Sequence, residues 1–299
     1  MRGFAFPGQG SQYVGMGKVL YEKHGFIRDL YDYADRISGK PIKELSFFGP
    51  ETELVKTENT QPAIFVYSAA LLELVKRDGI SYDVVFGHSL GEFTALYAAG
   101  VFTFEETLKL VVKRGELMGR AKGGKMAAVI GQNAYDISEK VLSEVGVEKT
   151  VIANINSPLQ VVISGEENEV DKVISVLKER YNTLRVIPLK VSTAFHSPLM
   201  DGAAREFAEV LGSAHFSEPK VPVIMNSTGK VARNSREIYE ALRVQLRSSV
   251  RFIDMINTAL DMGVDEVWEI GPKKVLCGLI SQITDRIKTA SAEEMYAQG

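Results

Sequence analysis

The 299-residue chain has a single cysteine, Cys277, which excludes an intrachain disulfide framework and any cysteine-rich zinc site. It has only four histidines, His24, His88, His196 and His215, which argues against a multi-histidine metal centre. An excess of one charge sign is missing as well. Lys and Arg number 35 against 38 Asp and Glu, for a formal charge of −3, so the basic field of a dedicated nucleic-acid binder is lacking. No apolar run is long enough to span a bilayer. The longest, residues 62–75, carries Ser68 and Glu73. Residues 1–7 hold no apolar region of signal-peptide length, and a cytoplasmic protein without membrane contact is expected. What is there is 45% apolar and 24% charged residues, the mixture of a globular protein with a real core. The length suits one large domain or two modest ones.

Short apolar runs alternate with longer amphipathic ones, the pattern of an α/β protein. Residues 3–6 read as a strand running into the glycine-rich turn Pro7-Gly8-Gln9-Gly10-Ser11-Gln12. Pro62 sits where a helix would start, since proline at the first helical position gives up no needed N–H. That helix is expected to stop at Asp78-Gly79. A strand at 83–86 and a helix at 90–99, ended by Gly100, follow. Next come a strand at 126–130, a helix at 137–145, strands at 151–154 and 160–164, a helix at 170–180 and a strand at 184–191. This β-α-β-β-α-β order is the ferredoxin-like pattern, at the size of a small inserted subdomain. Residues 125–191 are expected to form it, and 1–124 with 192–299 the main unit. Further helices are expected at 203–211, 236–246 and 252–262, with a strand at 264–270 closed by Gly271-Pro272. Residues 289–299 lose apolar periodicity and read as a frayed tail.

The most informative segment is Phe86-Gly87-His88-Ser89-Leu90-Gly91-Glu92. A G-x-S-x-G run between a strand and a helix places its serine at a sharp, strained bend, where flanking glycines let neighbouring backbone approach. Free N–H groups and the helix dipole there favour an oxyanion. The competing reading is a serine that only caps the helix. A nucleophilic serine needs a base. His88 is adjacent but points in another direction, and His24 and His215 sit in ordinary polar settings. His196, in Phe195-His196-Ser197-Pro198 at the domain junction, is placed to face a cleft, or else is a structural histidine. Arg114, within Val112-Lys113-Arg114-Gly115-Glu116, reads on its own as a solvated helix residue.

Several further motifs occur in order: Gly8-Gln9-Gly10-Ser11-Gln12, Asn59-Thr60-Gln61-Pro62, Arg114-Gly115, Met126-Ala127-Ala128, Gln245-Leu246 and Gly271-Pro272-x-Lys274-Val275-Leu276. With the serine and histidine segments, they make the chain resemble, over nearly its full length, the malonyl-CoA:acyl-carrier-protein transacylases of bacterial fatty acid synthesis. The resemblance implies an α/β-hydrolase-like core with an inserted ferredoxin-like subdomain. It implies Ser89 as nucleophile, His196 as base, and the backbone carbonyl of Gln245 orienting His196 in place of a triad acid. The backbone N–H groups of Gln9 and Leu90 would form the oxyanion hole. Arg114 would bind the malonyl carboxylate, and Gln61 and Met126 would line the acyl pocket. In related polyketide acyltransferases, a phenylalanine at the position of Phe195 goes with malonyl selectivity and a serine with methylmalonyl.

The implied substrates are malonyl-CoA and acyl carrier protein, and the implied protein is a monomer with no metal or redox cofactor. Lys113, Arg120, Lys122 and Lys125 are candidates for steering an acidic carrier protein. Lys273 departs from the family, which often has glycine there. Two rivals remain at this point. One is a serine esterase or thioesterase with Asp136 or Asp171 behind the histidine, and the other is a non-catalytic carrier-docking module.

Overall fold

The computed structural model describes residues 1–191 and 193–297. Ser192, at the expected domain junction, and Gln298 and Gly299 of the expected tail lie outside the described residues. Among the described residues ten strands build two sheets. They are β1 (Arg2–Phe6), β2 (Val84–Gly87), β3 (Lys125–Ile130), β4 (Val151–Ser157), β5 (Gln160–Gly165), β6 (Arg185–Pro188), β7 (Val223–Ile224), β8 (Val231–Ala232), β9 (Glu266–Glu269) and β10 (Lys288–Ser291).

The larger sheet has the order β10-β9-β1-β2-β7-β8 and is parallel except for the β7–β8 pair. Its central strands are covered on both faces, so β1 and β2 are apolar at nearly every position. Alternation along β1 sends Phe4 and Phe6 into a core built on the helices Thr57–Arg77 and Phe104–Arg120. Ala5 faces the other way, toward the helices Phe252–Asp261 and Val275–Ile283. The smaller sheet, β4-β5-β3-β6, is antiparallel throughout. Ala127 and Val129 pack on that unit's own helices, Ala134–Val145 and Glu167–Arg180. Met126 and Ala128, pointing oppositely, join the core of the larger unit. The two units thus enclose a cleft walled on one side by Met126.

Two expectations need correction. The helix does not begin at Pro62 but runs Thr57–Arg77 with the proline inside it. Its first turn is secured independently: Thr60 Oγ1 donates to Leu54 O (2.5 Å), Asn59 Nδ2 to Glu53 O (3.0 Å), and both backbone N–H groups to Lys56 O (2.8 Å each). The proline therefore forgoes only one bond, to Glu58, near the helix start. The expected frayed tail is ordered through Ala297. β10 pairs with β9, and the helix Ala292–Tyr296 carries Glu293, which accepts hydrogen bonds from Tyr13 (2.7 Å) and Tyr67 (2.8 Å). These elements are too short for periodicity to register and are held by tertiary contacts.

Candidate active site

β1 and β2 are parallel neighbours, and the site grows from the two turns at their carboxyl ends. A Cβ on Gly91 would lie 1.9 Å from Phe6 O, one on Gly87 2.1 Å from Gly91 O, and one on Gly8 2.4 Å from His88 O. The turns pack backbone to backbone, which is why glycine occupies these positions. Between them Ser89 adopts φ 51°, left-handed backbone that costs a non-glycine residue energy. Asn226 holds this bend: its Oδ1 accepts from the Ser89 N–H (2.6 Å), and its Nδ2 donates to Gly87 O (2.6 Å).

Ser89 Oγ lies 2.7 Å from His196 Nε2. His196 Nδ1 is 3.0 Å from the carbonyl of Gln245 and 3.0 Å from that of Ser248. Both are acceptors, so Nδ1 carries the proton and Nε2 presents its lone pair to the serine. Burial first, and then the Arg114 charge, lower the His196 pKa to about 3, keeping the ring neutral. Neither Asp136 nor Asp171 stands behind it. Asp136 is exposed in the first turn of Ala134–Val145, and Asp171 pairs with Lys125 at 2.6 Å. That pair also engages one of the candidate carrier-steering lysines. His88 turns away from Ser89, its Nε2 2.8 Å from Asn156 Oδ1, with its pKa lowered by burial. His24 is half-buried and His215 exposed, away from the site.

Arg114 is not a solvated helix residue. It is 1% exposed. The helix Phe104–Arg120 lies so close to Thr57–Arg77 that a Cβ on Gly115 would be 3.0 Å from Glu58 Cα, and this contact buries its neighbour. Nη1 donates to Gln61 Oε1 (2.6 Å), and Nη2 to Gln245 Oε1 (2.9 Å) and Ser89 Oγ (3.1 Å). Burial lowers its pKa to about 9, which leaves it cationic at neutral pH. Gln61 stands one layer back, behind the guanidinium, and does not line the cavity in front of Ser89. That cavity, about 100 Å³, is walled by Arg114, Met118, Met126 and Phe195, with Gln9 and Leu90 at the serine end. Among the described residues no hydrogen bond engages the backbone N–H of Gln9 or Leu90. An outer cleft of about 560 Å³ between the two units shares Gln9, His88 and Asn154 with it.

Three contributors escape a reading of the sequence. Asn226 and Ser248 lie in stretches without a local signal. Glu92 belongs to the serine motif, and an acid on an otherwise apolar helix was a signal that could have marked it.

A strained serine, a neutral histidine held by carbonyls, and two N–H groups beside them constitute an acyl-transfer site on an α/β-hydrolase-like core with a ferredoxin-like insertion. The chain belongs to the acyl transferase domain family, which matches residues 3–296, and is an acyltransferase. It is 42% identical over 297 residues to the malonyl CoA-acyl carrier protein transacylase of Bacillus subtilis (strain 168), covering 97% of this chain and 93% of that one. The malonyl-CoA:acyl carrier protein transacylase of Xanthomonas oryzae has a similar structure, with a TM-score of 0.93 at 37% identity, over 97% of this chain and 93% of that one. A malonyl-transacylase solved in complex with its type II polyketide acyl carrier protein gives 0.92 at 34% identity, over 97% and 95%.

Proposed function

We propose that this protein transfers the malonyl group from malonyl-CoA to the phosphopantetheine thiol of acyl carrier protein, supplying malonyl units for fatty acid synthesis. Arg114 carries this reading. Its guanidinium is buried against the nucleophile, and among the described residues its hydrogen-bond partners are all neutral oxygens. A buried cation without a carboxylate in contact is ready for an anion brought by the substrate, and the planar fork suits the second carboxylate of malonyl. An acetyl group would leave that cation unpaired, at a cost of roughly several kcal/mol.

In the first step Ser89 Oγ attacks the thioester carbonyl carbon as His196 Nε2 takes its proton. The N–H groups of Gln9 and Leu90 receive the oxyanion. The C–S bond then breaks, and the departing thiolate collects the proton from His196, leaving a malonyl-serine ester and coenzyme A. In the second step the phosphopantetheine thiol gives its proton to Nε2 and its sulfur attacks the ester. Ser89 Oγ leaves and recovers the proton. Every proton moves among serine, histidine and thiols, so the proposed route calls for no metal or redox cofactor. We assign it to a cytoplasmic monomer acting without nucleic acid or membrane, since one chain supplies the whole site. No helix of the described residues is long and apolar enough to cross a membrane.

The test is intact-mass spectrometry after brief mixing with malonyl-CoA, followed by carrier protein. Wild type should gain one malonyl group on Ser89 and pass it on. Ser89→Ala should gain none, and His196→Ala should acylate roughly 10²–10⁴-fold more slowly. Release of free malonate without loading of the carrier would make the protein a hydrolase instead.

A further inference from the structure

Glu92 is a buried carboxylate that the acyl-transfer steps leave unused. It lies one helical turn beyond Ser89 and is 1% exposed. Each group that meets its oxygens is a donor. Asn226 gives its backbone N–H (2.6 Å) and Nδ2 (2.9 Å) to Oε1, and Gln245 gives Nε2 (2.8 Å) to Oε2. Burial pushes its pKa up to about 7 against the pull of these donors, and with only donors meeting them both oxygens are placed to accept.

The consequence falls on Gln245. An amide has a donor end and an acceptor end of nearly the same shape, and only its surroundings decide which way round it sits. Nε2 faces two acceptors, Glu92 Oε2 and the Ser89 carbonyl (2.9 Å). Oε1 is therefore the end turned to Arg114, accepting from Nη2 at 2.9 Å and from Nε at 3.3 Å. Flipped, the amide would set its NH2 group against the guanidinium and its oxygen against a carboxylate and a carbonyl.

We infer that Glu92 is a positioning residue for acyl-group selection: its carboxylate fixes the orientation of the Gln245 amide, and through it aims the Arg114 guanidinium at the second carboxylate of the acyl group. The inference rests on the malonyl reading of the site. Asn226 ties the same carboxylate to the bend that carries Ser89, so nucleophile and guanidinium share one frame. Arg114 keeps a second anchor in Gln61 Oε1, so without Glu92 its guanidinium is half-held rather than released.

Glu92→Gln keeps the volume but sets an NH2 group against Gln245 Nε2, forcing the amide round. Acylation of Ser89 by malonyl-CoA and by acetyl-CoA, followed separately by intact mass, reads the result. The variant should lower kcat/KM for malonyl by roughly tenfold or more, chiefly through KM, and lower acetyl acylation much less. A merely structural role would lower both in proportion. Gln245→Ala, which retains the carbonyl that holds His196, should shift the malonyl-to-acetyl ratio in the same direction. In the double variant the ratio should equal that of Gln245→Ala alone, because Glu92 acts through the amide. An unchanged ratio in Glu92→Gln, or additive effects in the double variant, overturns the inference. Should Glu92→Gln not fold, Glu92→Asp keeps the charge but falls a methylene short of Gln245, and it carries the same expected loss of ratio and the same refutation. If wild-type Ser89 accepted no malonyl at all, the malonyl reading itself would fail, which is a separate result.

Discussion

At the scale of single residues, selectivity is divided between a charge and a wall. Arg114 touches Ser89 Oγ at 3.1 Å, so an acyl group on the serine sits directly before the guanidinium. Arg114→Ala should weaken malonyl transfer and raise acetyl transfer relative to it, and Arg114→Lys should rescue poorly, since a point charge cannot reproduce a two-pronged contact. A competition between the two thioesters for Ser89, read by mass, checks both variants. An unaltered preference would remove Arg114 from the acyl pocket. Phe195 is 7% exposed and lines the cavity before Ser89, so an α-methyl group on an acyl chain that turned toward this wall would compete with its ring for space. Phe195→Ser should narrow the preference for malonyl-CoA over methylmalonyl-CoA. The change is bounded at roughly 10–200-fold, the worth of one methyl group against an apolar wall. The same competition run with methylmalonyl-CoA measures it, and a constant ratio in a folded, active variant would locate the selectivity elsewhere.

At the scale of elements, the loop between β9 and the helix Val275–Ile283 explains the family's usual glycine. Lys273 adopts φ 63°, left-handed backbone, while its N–H donates to Glu293 Oε2 at 2.6 Å. Lysine is strained there and glycine is not. Lys273→Gly should retain the backbone bond and raise stability by about 0.5–1 kcal/mol, the left-handed cost less the greater unfolded freedom of glycine. Thermal or denaturant unfolding provides the measure, and a lower midpoint would mean that the contact of Lys273 Nζ with Gln12 O (3.3 Å) outweighs the strain. His196 is left-handed as well, at φ 55°, but there the strain serves the site by turning Nε2 to the serine.

At the scale of the whole molecule, the buried groups of the site couple its charge to folding. The native pKa of His196 is depressed from 6.5 to about 3. Its contribution to stability is therefore complete above pH 6.5, where the unfolded ring is also neutral, and is lost as pH falls toward 3. Glu92 and Glu269 act with the opposite sign: burial raises both from 4.5 to about 7, so their contribution is present below 4.5 and lost as pH rises through about 7. His196→Asn, with a side chain tolerant of left-handed backbone, removes the first effect alone. Between pH 6.5 and 4, wild type should lose stability relative to this variant, on the order of a few kcal/mol in all. Parallel unfolding curves across that range would mean that His196 titrates normally.

Local spacing was enough to determine the glycine-flanked bend at Ser89, the strand and helix on either side of it, and the β-α-β-β-α-β order of the inserted unit. Each depends on residues within a few positions of one another, where backbone sterics and periodicity act. The surroundings of the serine were decided only by the tertiary structure. Ser89 and His196 are 107 residues apart, and Arg114 and Gln245 131. Arg114, on an amphipathic helix with Lys113 before it, has the local pattern of an exposed residue; Gly115 admits a second helix beside it, and Arg114 is among the largest fully buried side chains of the described residues. The roles of Asn226 and of the carboxyl-terminal helix, and the position of Pro62 within its helix rather than at its start, likewise come from hydrogen bonds that long-range packing brings into reach. Local propensity states what a segment can form, whereas burial and partnership depend on which distant segments pack against it.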